Sequence, residues 1–268
     1  MRFHGFDISA NVSLLFAEKP YLERFRAAAD AGFNRVETWW PFSTPDPDPA
    51  DVDAFISAIE AAGLELTGLN LWAGDMPGGE RGVVSLPGRE DEIRANLPVV
   101  SEIAKRTGVK AFNVLYGCID EKNPEVGNAH AVRMITEIAH ALEKINGTVL
   151  IEPLAAGLNG TYPLHTAADV CALIDGPLAS VPNCALLFDT FHLASNGVDL
   201  VSAVAENINR IGHVQFADAP GRGEPESGSA PLTATFWELK DMGYRGTVAA
   251  EYKPTTLTEE TLGWGTPG

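Results

Sequence analysis

Short apolar or alternating runs along this chain are each followed by a segment whose apolar residues recur at three- and four-residue spacing, and the cycle repeats eight times. The runs predict strands at Arg2–Ile8, Arg35–Trp39, Glu65–Leu71, Ala111–Tyr116, Thr148–Leu154, Cys184–Phe191, His213–Ala217 and Thr247–Tyr252. Several are rich in Val, Leu and Phe between turn residues, as strands buried on both faces are. Between them, Val52, Phe55, Ile56 and Ile59, then Ile93, Leu97, Val100 and Ile103, then Val132, Ile135, Ile138 and Leu142 each trace one face of an amphipathic helix. Ala31-Gly32, Ala62-Gly63, Thr107-Gly108, Asn146-Gly147 and Met242-Gly243 mark helix stops, the glycines suiting a left-handed residue before the next strand. Alternating β and α units of about 30 residues predict an α/β fold with a parallel sheet, closed into a single (β/α)8 barrel of one domain over residues 1–268. No GxGxxG follows the first strand and no GxxxxGK[ST] occurs, so nucleotide-binding folds lose their usual support. Thr44–Asp51, Trp72–Arg89 and Asp218–Pro231 read as loops after strands, which places them on the C-terminal face where such barrels bind substrate.

Composition narrows the partners. The 268 residues, 45% hydrophobic, suffice for one large core. A net charge of -17, from 36 acidic and 19 basic residues, opposes phosphate backbones and anionic lipid surfaces, so neither nucleic acid nor membrane is expected as a partner. Most of that charge serves solubility; a share is available to a cation site. Cys118, Cys171 and Cys184 form no CxxC pair and predict buried free thiols rather than disulfides or a zinc-thiolate site. With no signal-like apolar region and no run near ~20 apolar residues, the expected location is cytoplasmic. A homo-oligomer is left open.

Candidate chemistry gathers at the ends of the last four strands. Val149-Leu150-Ile151-Glu152, Ala185-Leu186-Leu187-Phe188-Asp189, His213-Val214-Gln215 and Val248-Ala249-Ala250-Glu251 carry three carboxylates and one amide. Singly, each could cap a helix or pair with a lysine. Together, three carboxylates at the mouth of one barrel repel unless a cation compensates them, and hard oxygen donors suit Mg2+ or Mn2+ better than zinc. His213 shares a face with Gln215, and Lys253 one with Glu251. His213 reads as a structural hydrogen bonder, while His192, three residues past Asp189, stands within reach of a substrate oxygen. Asn11, Glu37 and Asn70 read as contacts to substrate hydroxyls or as loop caps. Trp39, Trp40, Trp72 and Tyr116 either wall a sugar-sized pocket or pack under loops.

These residues resemble a known family. Leu150-Ile151-Glu152-Pro153, Phe188-Asp189-Thr190-Phe191-His192, Gly212-His213-Val214-Gln215-Phe216-Ala217-Asp218 and Ala250-Glu251-Tyr252-Lys253-Pro254 resemble the xylose-isomerase-like TIM-barrel superfamily. Asn11–Phe16, Gly79-Glu80-Arg81-Gly82, Leu86–Glu90 and Asp218–Pro225 bring the similarity closest to its hydroxypyruvate isomerase family. Lys253 stands where that family often has arginine. The resemblance implies a metal held by Glu152, Asp189, Gln215 and Glu251, with Glu152 and Glu251 also the acid/base pair. His192 and Arg222 would then contact substrate, as would Lys253, Asn70 and Arg81.

The expected reaction is isomerisation of a short hydroxy-keto acid, hydroxypyruvate/tartronate semialdehyde or a 2-oxotetronate. A metal would polarise the carbonyl and adjacent hydroxyl, stabilising a cis-enediolate while the two glutamates exchange the proton. Arg81, Arg89, Arg222 and Lys253 offer partners for the substrate carboxylate. The same residues admit ketose 3-epimerisation or inosose dehydration. A non-catalytic sugar-binding barrel is the reading of another class, although such a chain would be expected to lose one of the four positions. A multi-zinc endonuclease fits poorly with six histidines and strong acidity.

Overall fold

The strand pattern closes on itself in the computed structural model, which describes residues 1–266. In chain order the elements are β1 (Arg2–Phe3), β2 (Phe6–Asn11), α1 (Glu23–Asp30), β3 (Arg35–Thr38), α2 (Pro49–Ala62), β4 (Glu65–Asn70), α3 (Glu90–Thr107) and β5 (Ala111–Asn113). They continue with α4 (Pro124–Glu143), β6 (Thr148–Ile151), α5 (Ala167–Asp175), β7 (Cys184–Asp189), α6 (Thr190–Ser195), α7 (Leu200–Asn207), β8 (Ile211–Phe216), α8 (Leu232–Asp241) and β9 (Thr247–Ala250), before a final 3-10 helix at Thr258–Trp264. From β2 to β9 every neighbouring pair is parallel, and β2 also pairs with β9, Ala10 lying opposite both Val36 and Ala250. The result is a single eight-stranded (β/α)8 barrel. The helices turn Val52, Phe55, Ile56 and Ile59 of α2, or Ile135, Ile138 and Leu142 of α4, onto its outer wall.

Four details differ from the sequence pattern. The first barrel strand is Phe6–Asn11 rather than Arg2–Ile8, because His4 and Gly5 adopt positive φ and fold Arg2–Phe3 back as an antiparallel hairpin strand. That shift brings Asn11 to the barrel mouth. Strands β5, β6, β7 and β9 stop earlier than their apolar runs, so Glu152 and Glu251 each fall one residue past a strand. The left-handed residue after α4 is Asn146, not Gly147. Cys184 alone of the three thiols is buried; Cys118 and Cys171 are half-exposed.

Two bulges interrupt the inward-outward alternation. Thr67 is the extra residue between β3 and β4, and Gly212 the extra residue between β7 and β8. The long loop from Leu71 to Arg89 is pinned at Gly82, where φ is +103° and a Cβ would come within 2.1 Å of the Leu115 carbonyl oxygen, so only glycine fits. Among the described residues no helix is long and apolar enough to cross a membrane.

Candidate functional site

The four strand-end residues converge, each held by a different local device. Asp189 is fully buried at the last position of β7, where its Oδ1 accepts the Phe191 N–H at 2.7 Å and the His192 N–H at 3.4 Å. It is thus the N-cap of α6. Its other oxygen, Oδ2, receives Arg222 Nη2 at 3.1 Å. The capping reading of this residue holds through Oδ1, which leaves Oδ2 turned toward Arg222. Glu152 follows β6 and accepts Asn113 Nδ2 at 2.7 Å on Oε2. Glu251 follows β9, and its Oε1 accepts Asn11 Nδ2 at 2.9 Å and Trp39 Nε1 at 2.6 Å while Arg222 Nη2 donates to Oε2 at 2.6 Å.

Gln215 lies opposite Asp189 in the β7–β8 register. Its Nε2 donates to Glu37 at 2.6 Å, and its Oε1 is buried without a protein partner.

Burial dominates the electrostatics. It pushes the Glu152 carboxyl well above the usual carboxylate range, aided by the Asp189 charge and opposed by Arg222 and Asn113. Glu251 is raised for the same first reason, with Arg222 again opposing. The Arg222 guanidinium also lies 5.3 Å above the Phe191 ring, and its carbonyl accepts the Lys253 N–H at 2.7 Å.

His192, in α6, places Nε2 3.6 Å from Glu152 Oε1 and 3.7 Å from Asp189 Oδ2. Ligand atoms of Glu152, Asp189 and His192 all lie within 4.8 Å of one another, a triad with the spacing of a metal site. The tautomer qualifies that triad. His192 Nδ1 accepts the Ala155 N–H at 3.0 Å, and burial lowers the ring to a pKa of about 4, so its single proton sits on Nε2. An N–H facing the carboxylates presents a donor rather than a lone pair and does not ligate a cation. The oxygen donors left for a cation are Glu152, Asp189, Glu251 and the orphaned Gln215 Oε1. This all-oxygen set, with three buried carboxylates and an unmatched buried acceptor, fits a hard divalent ion.

Above these residues opens a cavity of about 980 Å³, lined by Glu152, Glu251, His192, Arg222, Asn70, Arg81 and Lys253 with Trp39, Trp40 and Trp72 on its wall. Lys253 reaches it from a loop, since β9 ends at Ala250. Arg81 is fixed by Asn159 at 3.0 Å through Nε and by the Met76 and Glu80 carbonyls through Nη1. One expectation is corrected, and for Tyr116 the packing alternative holds. Arg89 takes no part in the cavity, being tied to Glu80 and Glu92. Tyr116 is buried away from the cavity, its hydroxyl donating to Asn128. Sequence reading missed Asn113, although a polar residue closing a short apolar strand is the signal that found the other four.

The family model for the xylose isomerase-like TIM barrel matches residues 25–267. The chain belongs to that xylose isomerase-like family. A Streptomyces coelicolor relative, named provisionally as a hydroxypyruvate isomerase, is 41% identical over 95% of this chain and 93% of its own. The hydroxypyruvate isomerase of Escherichia coli is 33% identical over 97% and 98%, and the 2-oxo-tetronate isomerase of Pectobacterium atrosepticum 32% over 97% and 96%. A crystal structure titled AP endonuclease, family 2, from Brucella melitensis superposes with a TM-score of 0.88 at 30% identity, covering 96% of each chain. The relatives put this family member on the hydroxypyruvate isomerase branch, among isomerase enzymes.

Proposed function

We propose that the protein interconverts a short hydroxy-keto acid and its aldehyde isomer, hydroxypyruvate/tartronate semialdehyde or a 2-oxotetronate, at the mouth of the barrel. The observation that carries the reading is the pair of buried glutamates, Glu152 and Glu251, both with raised carboxyls and placed three strands apart around one cavity that Arg81 and Lys253 also line. Burial that raises a carboxyl makes it a better proton acceptor than a solvated one and lets it hold the proton it must return. One of the two glutamates removes the proton from the hydroxyl-bearing carbon beside the carbonyl, and the other protonates the carbonyl carbon, while the hydroxyl proton passes to the former carbonyl oxygen. His192 donates Nε2–H to a substrate oxygen, an assignment that follows from its tautomer. Arg81, already fixed by three hydrogen bonds, takes the substrate carboxylate, with Lys253 as the second cation. Mg2+ or Mn2+, held by Glu152, Asp189, Gln215 and Glu251, would supply Lewis acidity toward the substrate's carbonyl and hydroxyl oxygens. The names of the hydroxypyruvate and 2-oxo-tetronate isomerase relatives support this substrate class.

The test is a proton-exchange screen by NMR in D2O against hydroxypyruvate, 2-oxotetronates, common ketoses and inososes. Deuterium entering a hydroxy-keto acid at the carbon next to its carbonyl is the expected result. Exchange confined to a ketose or an inosose would replace the proposal with the epimerase or dehydratase reading; no exchange in any of them would return the chain to a sugar-binding barrel.

A further inference from the structure

Behind the carboxylates lies a buried group that the proposed chemistry does not use. Glu37, on β3, is 3% exposed, and its Oε1 accepts both Gln215 Nε2 at 2.6 Å and Asn11 Nδ2 at 2.9 Å. Asn11 cannot turn over: its Oδ1 accepts the Ser13 N–H at 3.0 Å, so its amide nitrogen must face Glu37 and Glu251. Gln215 is fixed by the same logic. A carboxylate oxygen accepts, so the amide nitrogen points to Glu37 and the amide oxygen is left on the other side, buried and without a partner. The other oxygen of Glu37, Oε2, sits 2.6 Å from His213 Nε2, a close contact out of line for a hydrogen bond.

The backbone makes room for this arrangement. Opposite Glu37 in the register stands Gly68, beside the Thr67 bulge, and a Cβ there would come within 3.1 Å of Glu37 Oε2 and 3.3 Å of its Cβ. An unpaired acceptor in a protein interior is destabilising, so orientation of the amide with its oxygen orphaned calls for a ligand.

We infer that Glu37 is a positioning residue: it orients the Gln215 amide so that Oε1 faces the divalent cation. The inference rests on the cation reading above. Its distinctive content is that Glu37 acts through Gln215 and not merely by filling the barrel.

The test is calorimetric titration of Mn2+ into the metal-free protein, with Tm recorded for each variant. Wild type takes up Mn2+; Glu37→Met, close in size but without an acceptor, loses roughly ten- to a hundred-fold in affinity. Glu37→Gln, whose amide oxygen can replace Oε1, stays close to wild type. In a Gln215→Met background, adding Glu37→Met costs little further affinity, because the partner it orients is gone. Glu37→Met binding as tightly as wild type would overturn the inference, and so would an undiminished loss in the Gln215→Met background. Should Glu37→Met alone fail to fold, comparing Gln215→Met with the double variant still decides: equal affinities support the role, a further tenfold loss overturns it. No uptake by wild type would refute the cation reading itself, and this role with it.

Discussion

The two halves of the barrel mouth use the same kind of position for opposite purposes. After β6, β7 and β9, and on β8, the strand ends carry Glu152, Asp189, Glu251 and Gln215. At β2, β3 and β5 the corresponding polar residues are Asn11, Glu37 and Asn113, and each bonds to a member of the first group. One half gathers buried oxygens, with Glu152 and Glu251 lining the cavity; the other presents amide hydrogens to those oxygens, or an acceptor to Gln215. Three carboxylates can be buried together because donors from across the barrel and from Arg222 share their load.

The largest effect should come from the acidic half. Glu152→Gln or Glu251→Gln should lower turnover by roughly 10²–10⁴-fold while the fold survives, and steady-state kinetics beside a near-UV circular dichroism spectrum would show it. A variant within a few-fold of wild type would remove that glutamate from the proton transfer. The supporting half should give a smaller and different signature. Asn113→Leu takes away the donor that lowers the Glu152 carboxyl. Its pKa should then rise further, so the acid limb of the kcat/KM profile should move to higher pH with a loss of about tenfold or more. An unchanged limb would mean that Asn113 only fills space.

Arg81 tests the cavity wall rather than either half. Arg81→Met should raise KM for a hydroxy-keto acid by roughly ten- to a hundred-fold, about 1.5–3 kcal/mol, with less change in kcat. A drop in kcat alone would argue against a ground-state carboxylate contact. The smallest effect belongs to the Leu71–Arg89 loop, where Arg89 holds Glu80 and Glu92 below the usual carboxylate range. Lowered folded-state values give stability that is present above the unfolded carboxylate pKa and lost as pH falls through the folded ones. Thermal melts should show Arg89→Met losing a small increment at neutral pH and nothing at strongly acidic pH; equal losses at both would mean the ion pairs do not bear on it.

Much of this was legible in the sequence because the signals were local. A charge closing an apolar run is visible at Asp189 without any fold, and eight repeats of one period announced the barrel. Asn113 was hidden by a run that stays apolar to Tyr116 although the strand stops at Asn113. Asn11 came into place only because His4-Gly5 shifted the first strand. The bulges at Thr67 and Gly212 break the two-residue alternation on which facing arguments rest. The tautomer of His192 depends on the Ala155 N–H, a contact across 37 residues that no local pattern encodes.

The central claim is that the acidic half works as a divalent-cation isomerase site. Its most direct test follows deuterium uptake from D2O into hydroxypyruvate by chelator-treated protein as Mn2+ is added back. The account predicts near-zero uptake without the ion and a rate that saturates at one equivalent per chain. Full uptake by the chelated protein would contradict it.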